Sequence, residues 1–205
     1  AKIIMKVFYA ARVARPDLLR AVGHLACFLT KWDAECDRRL HRLMAYVWSS
    51  LDHRLCAWVK IGECDSLGLY QYSDADHAGD LRTSRSTSGG FLVIEGPNTF
   101  FPISCVCKKQ TAVSHSTPEA EIIAGAHVLR SSGIPGLVFW DAIFNGGEES
   151  GTLTFLGDND AMLSICRTGR NPTMRHLGKT HGLSISWLHE IATSGYTKMH
   201  YIESK

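Results

Sequence analysis

The sequence predicts an α/β fold built on a five-stranded mixed sheet flanked by helices. Three observations carry that expectation. From about residue 67, three strand-like runs follow one another, bounded by turn residues. At Ser116-Thr117-Pro118-Glu119 the apolar period lengthens from that of a strand to that of a helix. Strands and helices then alternate, giving the order β-β-β-α-β-α-α-β. Successive strands followed by helix-flanked strands imply a mixed sheet with helices on its faces.

The elements follow in order. Residues 1–52 read as helical. Arg15-Pro16-Asp17 is a start signal, because proline fits a first helical turn. Leu18, Val22, Leu25 and Leu29 recur behind it at helical spacing. A second helix is expected from Asp33, with Leu40, Leu43, Val47 and Leu51 as its apolar stripe. Arg38, Arg39 and Arg42 ride on it, either as a solvated face or as a contact for a nucleic-acid backbone. Strands are expected at 55–61 and 67–73, with a turn at 62–66 between them. A polar loop covers 79–88. Two further strands fit 90–95 and 99–107, where Pro102 suggests an edge or an irregular start. A capped helix then runs to about Arg130, with an extra helical stretch near Ile134–Phe144. A strand at 152–156 leads through Gly157-Asp158-Asn159-Asp160 into a short helix. Asn171-Pro172 breaks that helix, a longer one fits 180–193, and a last strand fits 196–202.

Bulk composition narrows the class. With 205 residues and 45% hydrophobic content, the chain can bury a sizeable core, as one domain plus an appendage or two small ones. The net charge of +2 permits nucleic-acid binding without arguing for it. No apolar run approaches the roughly 20 residues of a membrane span, and basic residues interrupt the start where a signal peptide would stand. No membrane partner is expected. Seven cysteines without secretory context read as reduced thiols of an intracellular protein. Cys105-x-Cys107 is too short for a zinc knuckle, and alternation along a strand explains it.

The chemistry gathers in the acidic residues at element ends. Asp74 and Asp76, in "QYSDADHAGD", lie two apart at a strand end and so point to one face. Glu121 lies early in its helix beside the small residues Ala124 and Gly125. Asp158 closes a later strand. Ligands collect at the carboxyl ends of strands in such sheets. If the strands of Asp74 and Asp158 run parallel as neighbours, three carboxylates converge, and such a cluster needs protons or cations to neutralise it. Oxygen ligands without Cys or His favour Mg²⁺ or Mn²⁺. An Asp at a strand end also serves as a turn former, and Asp158 or Asn159 could cap the following helix.

Four separate stretches, "YSDADHAGDLRTSRSTSGG", "SCVCKKQTAVSHSTPEAEIIAGA", "LGDNDA" and "KMHYIESK", resemble the RNase H domain of copia-type LTR retrotransposon Pol polyproteins. The resemblance runs from about Tyr72 to Lys205. Residues 1–66, with "ARVARPDLLRAV", resemble the connection segment that follows the polymerase. The implied organisation is a helical connection segment with one strand over 1–66 and an RNase H-like domain over 67–205. Where the family continues to a fourth carboxylate after the last strand, this sequence stops. The expectation is therefore a C-terminally truncated domain, a piece of a longer protein, whose activity as a fragment depends on that carboxylate.

The resemblance implies two-metal hydrolysis of the RNA strand of RNA·DNA hybrids, with Mg²⁺ as cofactor and Mn²⁺ as substitute. The family's acidic set falls on Asp74, Glu121 and Asp158. Asp74 would touch both ions, Glu121 the ion nearer the leaving 3′-oxygen, and Asp158 the ion beside the attacking water. Ser88, Lys108, Lys109, Gln110, Ser114, Ser116 and Asn159 are candidate contacts to the nucleic-acid backbone, with a solvated strand end as the alternative for the two lysines. In "MRHLGKTHGLSISWLHE", Arg175, His176 and His181 could face the hybrid. One histidine could shuttle a proton, or either could cap a helix. The implied partners are the hybrid and the polymerase domain of the same polyprotein, in cytoplasmic virus-like particles or the nucleus. The competing expectation is an inactive remnant or structural tether that binds nucleic acid without cleaving it.

Overall fold

The computed structural model describes residues 1–203. They form two compact units, Ala1–Cys56 with Cys107–Lys109, and Ala57–Val106 with the described residues from Gln110 onward.

The first unit holds α1 (Lys2–Val13), α2 (Leu19–Ala26) and α3 (Ala34–Ser49). Its core is made by Ile4, Leu18, Val22, Leu25, Cys36 and Leu43. Pro16 opens a single 3₁₀ turn that leads into α2. The Arg15 guanidinium there donates to Asp17 at 2.8 Å and to the Ser50 carbonyl at 2.9 Å, tying the turn to the end of α3. Asp33 caps α3 by accepting from the Cys36 amide at 2.9 Å. Two arginines of the basic patch, Arg38 and Arg39, pair with Glu35 at 2.6 and 2.8 Å. The two guanidiniums share this one carboxylate, so the pair keeps a net positive charge.

The sheet, almost all of it in the second unit, is made of β1 (Gly68–Asp76), β2 (Thr87–Glu95), β3 (Phe100–Lys109, its last three residues grouped with the first unit), β4 (Leu153–Gly157) and β5 (Thr197–Tyr201), in the order β3-β2-β1-β4-β5. β1 is antiparallel to β2 and parallel to β4, which is parallel to β5. This is the five-stranded mixed sheet of an RNase H-like fold. Residues 55–61 do not form the expected strand. Only Trp58 pairs, with Phe100, their rings 5.1 Å apart. Both faces of that run are exposed, so its alternation has no core to bury against.

Along β1, Leu69, Gln71, Ser73 and Ala75 turn inward against α4 (Thr117–Val128). The approach is close because facing residues are small: Ala75, Ala120 and Ala124 form one buried cluster. A Cβ added at Gly125 would lie 3.3 Å from the Phe155 ring.

A π turn at Leu129–Gly133 joins α4 to α5 (Ile134–Phe144). Buried Ser132 donates to the Gln71 side chain at 2.8 Å and to the Val128 carbonyl at 2.9 Å, anchoring the turn to β1. The two expected helical stretches thus merge into one of 28 residues. By length and apolarity this helix could cross a membrane, contrary to the expectation from the sequence. It packs on the sheet, and 61% of its most apolar stretch is buried.

After β4 come α6 (Asp160–Thr168), α7 (Leu177–Thr180) and α8 (Ile185–Thr193). The single helix expected over 180–193 is broken at 181–184. Gly182 takes a φ of +62°, a left-handed conformation that ends α7, and Ser184 starts α8 by accepting from the Trp187 amide at 3.2 Å. One core spans the unit, from Leu69, Leu92 and Phe155 in the sheet to Ile122, Leu163 and Leu188 in the helices.

Candidate active site

The topology brings three acidic residues to one end of the sheet. Asp74 lies near the carboxyl end of β1, opposite Gly89 of β2. β4 runs parallel beside β1 with Gly157 level with Ser73, so Asp158 follows one residue past the strand, next to Asp74. Glu121 comes from the sheet-facing side of α4. Ser116 sets that helix's start, its hydroxyl accepting from the Glu119 amide at 3.3 Å, with Pro118 in the first turn. The carboxylates of Asp74, Glu121 and Asp158 offer oxygens that all lie within 4.8 Å of one another.

Glu121 is the buried member. One oxygen accepts from the Ala75 amide at 3.1 Å. The other is buried with no hydrogen-bond partner among the described residues. Burial, and then the neighbouring Asp74 and Asp158, push its pKa up to about 8. Asp74 is also raised, by burial first and then by Asp158 and Asp76. Without a cation the cluster favours holding a proton. An all-oxygen set with one orphaned buried acceptor suits a hard divalent ion.

The other sequence candidates separate into groups. Ser88, Gln110 and Ser114 are buried and bonded to one another. The Gln110 amide donates to Ser88 at 3.1 Å and to the Ala120 carbonyl at 2.9 Å, and accepts from Ser114 at 2.7 Å. They are internal ties rather than surface groups, and Gln110 fixes the residue just before Glu121. Ser116 and Asn159 cap helices, Asn159 accepting from the Met162 amide at 2.9 Å. Lys108 is exposed and Lys109 half-buried at the end of β3. Arg175 is exposed beyond a 3₁₀ turn at Pro172–Met174. His176, half-buried, bonds Glu119 at 3.2 Å, and both ring nitrogens of His181 are buried, which keeps His181 from a nucleic-acid backbone. Arg167 donates to the Met199 carbonyl at 2.8 Å and serves the fold.

Sequence reasoning missed Glu119 as a site-building residue. It is buried, and it accepts from the His115 amide at 3.3 Å while meeting His176. The signal was present in Ser116-Thr-Pro-Glu119, where a carboxylate three residues after a hydroxyl cap reaches back toward the chain entering the helix.

No family model matches the chain. It is 37% identical over 107 residues to the retrovirus-related Pol polyprotein from transposon RE1 of Arabidopsis thaliana, covering 52% of this chain and 7% of that protein. It is 36% identical over 123 residues to Secreted RxLR effector protein 161 of Plasmopara viticola, covering 58% of this chain and 78% of that protein. The chain is related to the retrovirus-related Pol polyproteins of transposons. Among solved structures, RNase H1 from the halophilic archaeon Halobacterium salinarum NRC-1 superposes with a TM-score of 0.44 at 11% identity, over 66% of this chain and 85% of that one. In this RNase H-like fold, the carboxylates of β1, α4 and the β4 end make up the acidic centre.

Proposed function

We propose that the domain hydrolyses the RNA strand of RNA·DNA hybrids within the reverse transcriptase of a copia-type element. The observation that carries this reading is the convergence of Asp74, Glu121 and Asp158 within 4.8 Å, with one Glu121 oxygen buried and unpaired. Two divalent ions, Mg²⁺ or in substitution Mn²⁺, would be held by these three residues and, when bound, supply an acidified water and charge stabilisation of the leaving oxygen.

The chain's own residues prepare that site. The Ala75 amide orients Glu121, and the Gln110 amide holds the carbonyl of Ala120 beside it. The inward side of β1 is packed against α4, and Asp74 and Asp158 open into a cleft on the other face of the sheet, lined by Tyr72, Phe91 and Leu156. In the reaction a water oxygen bonds to phosphorus as the P–O3′ bond breaks. A water proton is lost to solvent and the leaving oxygen gains one, giving a 3′-hydroxyl and a 5′-phosphate. The polymerase of the same polyprotein would be the covalent partner, in cytoplasmic particles or in the nucleus.

The test is cleavage of a labelled RNA·DNA hybrid in Mg²⁺ and in Mn²⁺, with Asp74→Asn and Asp158→Asn beside the wild type. RNA-strand cleavage that both substitutions abolish supports the reading. Cleavage that persists in either variant removes these carboxylates from the mechanism. A second reading, nucleic-acid binding without cleavage, draws support from the relative spanned over 78% of its length, which is named as an effector and not as an enzyme. Hybrid binding with no cleavage in either metal would favour it.

A further inference from the structure

The loop that leaves β1 beside the acidic centre, residues 77–86, is built more rigidly than a solvated turn needs. Ala78 and Ser84 both take a φ of +53°, and they are the only non-glycine residues with a left-handed φ among the described residues. Glycine adopts that region freely and other residues do not. Asp80 holds the loop from within. It is buried, and its carboxylate accepts from the Arg82 amide at 3.0 Å and from the Thr83 hydroxyl at 2.7 Å. Its carbonyl accepts from the Ser84 amide at 2.7 Å. Buried Ser86 accepts from the Ala78 amide at 3.1 Å and closes the base. The Asp76 carboxylate lies over Gly79, where a Cβ would find no room.

What this frame presents to solvent is cationic. Leu81 to Arg85 are all exposed, and two of these five residues are arginines. The one acidic residue between His77 and Arg85 is Asp80, turned inward and bonded. The Arg85 guanidinium has no hydrogen-bond or ion-pair partner among the described residues. Strain held by buried bonds around exposed charge is the pattern of a binding loop set before its ligand arrives. Position and charge name the ligand. Asp74 pairs with Gly89 across β1 and β2. Arg85 precedes Gly89 by four residues, so its backbone lies within about 14 Å of that level, at about 3.4 Å per extended residue. That span covers about four steps along one strand of a duplex.

We propose that Arg82 and Arg85 are positioning residues that grip the phosphate backbone of the hybrid within about four nucleotides of the scissile bond. The inference rests on the hybrid as the partner read above. A planar guanidinium fork suits phosphate oxygens, and contacts of this kind fix register without reading sequence. Each one displaces condensed counterions, so the salt dependence of binding counts them.

The test is binding of a labelled RNA·DNA hybrid to the full chain in chelator, over about 50 to 200 mM salt. Wild type, Arg82→Gln, Arg85→Gln and Lys198→Gln are compared, each first shown to keep the wild-type circular dichroism. Lys198 is exposed on β5, level with Thr154 toward the other end of the sheet, and controls for net charge. Each arginine variant should bind more weakly, with the slope of log affinity against log salt shallower by about 0.9. Lys198→Gln should keep the wild-type slope. A slope unchanged in either arginine variant, an equal loss in Lys198→Gln, or no hybrid binding by the wild type overturns the proposal. Binding with the expected slopes but no cleavage in either metal removes the nuclease reading and leaves the two arginines in this role.

Discussion

Replacing Glu121 by Gln should stabilise the metal-free domain at pH 8 and leave it nearly unchanged at pH 5. The wild-type carboxyl moves from its ordinary 4.5 to about 8 on folding, because burial and the Asp74 and Asp158 charges disfavour its ionised form. Between those values the folded state binds more protons than the unfolded one, so stability falls as pH rises. The contribution is present in full below 4.5 and is lost through about 8. At about 1.4 kcal/mol per tenfold change in proton affinity, the ceiling at pH 8 is about 4 kcal/mol. Solvent at exposed Asp74 screens the repulsion, so about 2 kcal/mol is the expected difference. Gln keeps an oxygen for the Ala75 amide and adds a donor toward the carboxylates. Urea denaturation in chelator at pH 5 and pH 8, with wild type and variant side by side, reads the gap directly. Added Mg²⁺ at pH 8 should raise the wild-type midpoint and move the variant much less. A gap equal at both pH values, or a variant less stable at pH 8, would refute the account of Glu121 as a carboxyl strained by its neighbours.

Two further predictions concern what holds the centre in place. Gln110→Ala removes the ties to Ser88 and Ala120 and leaves Ser114 unpaired. It should lower stability by about 1–3 kcal/mol, and in the hybrid assay reduce turnover while leaving hybrid binding intact; unaltered urea midpoints would sink this reading. Gly90→Ala drives a Cβ into the Val128 Cγ1 atom and to 3.0 Å from its Cβ, an overpacking expected to destabilise by about 1–3 kcal/mol. Paired Gly90→Ala and Val128→Ala should recover part of that loss, and a double variant no better than the single one would count against the clash.

The order of elements was legible because it rests on local pattern, whereas the carboxylate trio was legible through the resemblance of its motifs, its convergence depending on β1 and β4 pairing in parallel. Alternation along 67–76 and the Ser-Thr-Pro-Glu start of α4 each announce their element, and residues at element ends follow from that. What failed depended on partners distant in sequence. The run at 55–61 alternates like a strand, yet only Trp58 finds a partner, and a strand is defined by its neighbour. Ser88, Gln110 and Ser114 are polar and close to the motif, which suggested contact with nucleic acid. Their burial comes from α4 folding back across β2, which spacing alone does not disclose. The break inside 180–193 turns on a single glycine with a left-handed φ, at a place where the apolar period continues unbroken.

The π turn at 129–133 also sets a rule for which changes in chain length the domain can tolerate. An α-helix advances about 100° per residue, and the wider turn inserts a phase offset between the two halves of the 28-residue helix. That offset lets Ala120 and Ala124 face β1 while Gly136 sits against Leu92. Deleting one residue in the ordinary α turns on either side would carry α5 round by about 100°, whereas the wider turn, with fewer degrees per residue, absorbs its own extra residue. Exposed Val138, Phe139 or Ile143 would then point where Gly136 and Leu137 now pack. Length variation in this lineage should therefore fall in the 145–152 loop or in the π turn itself, and spare the α turns of α4 and α5.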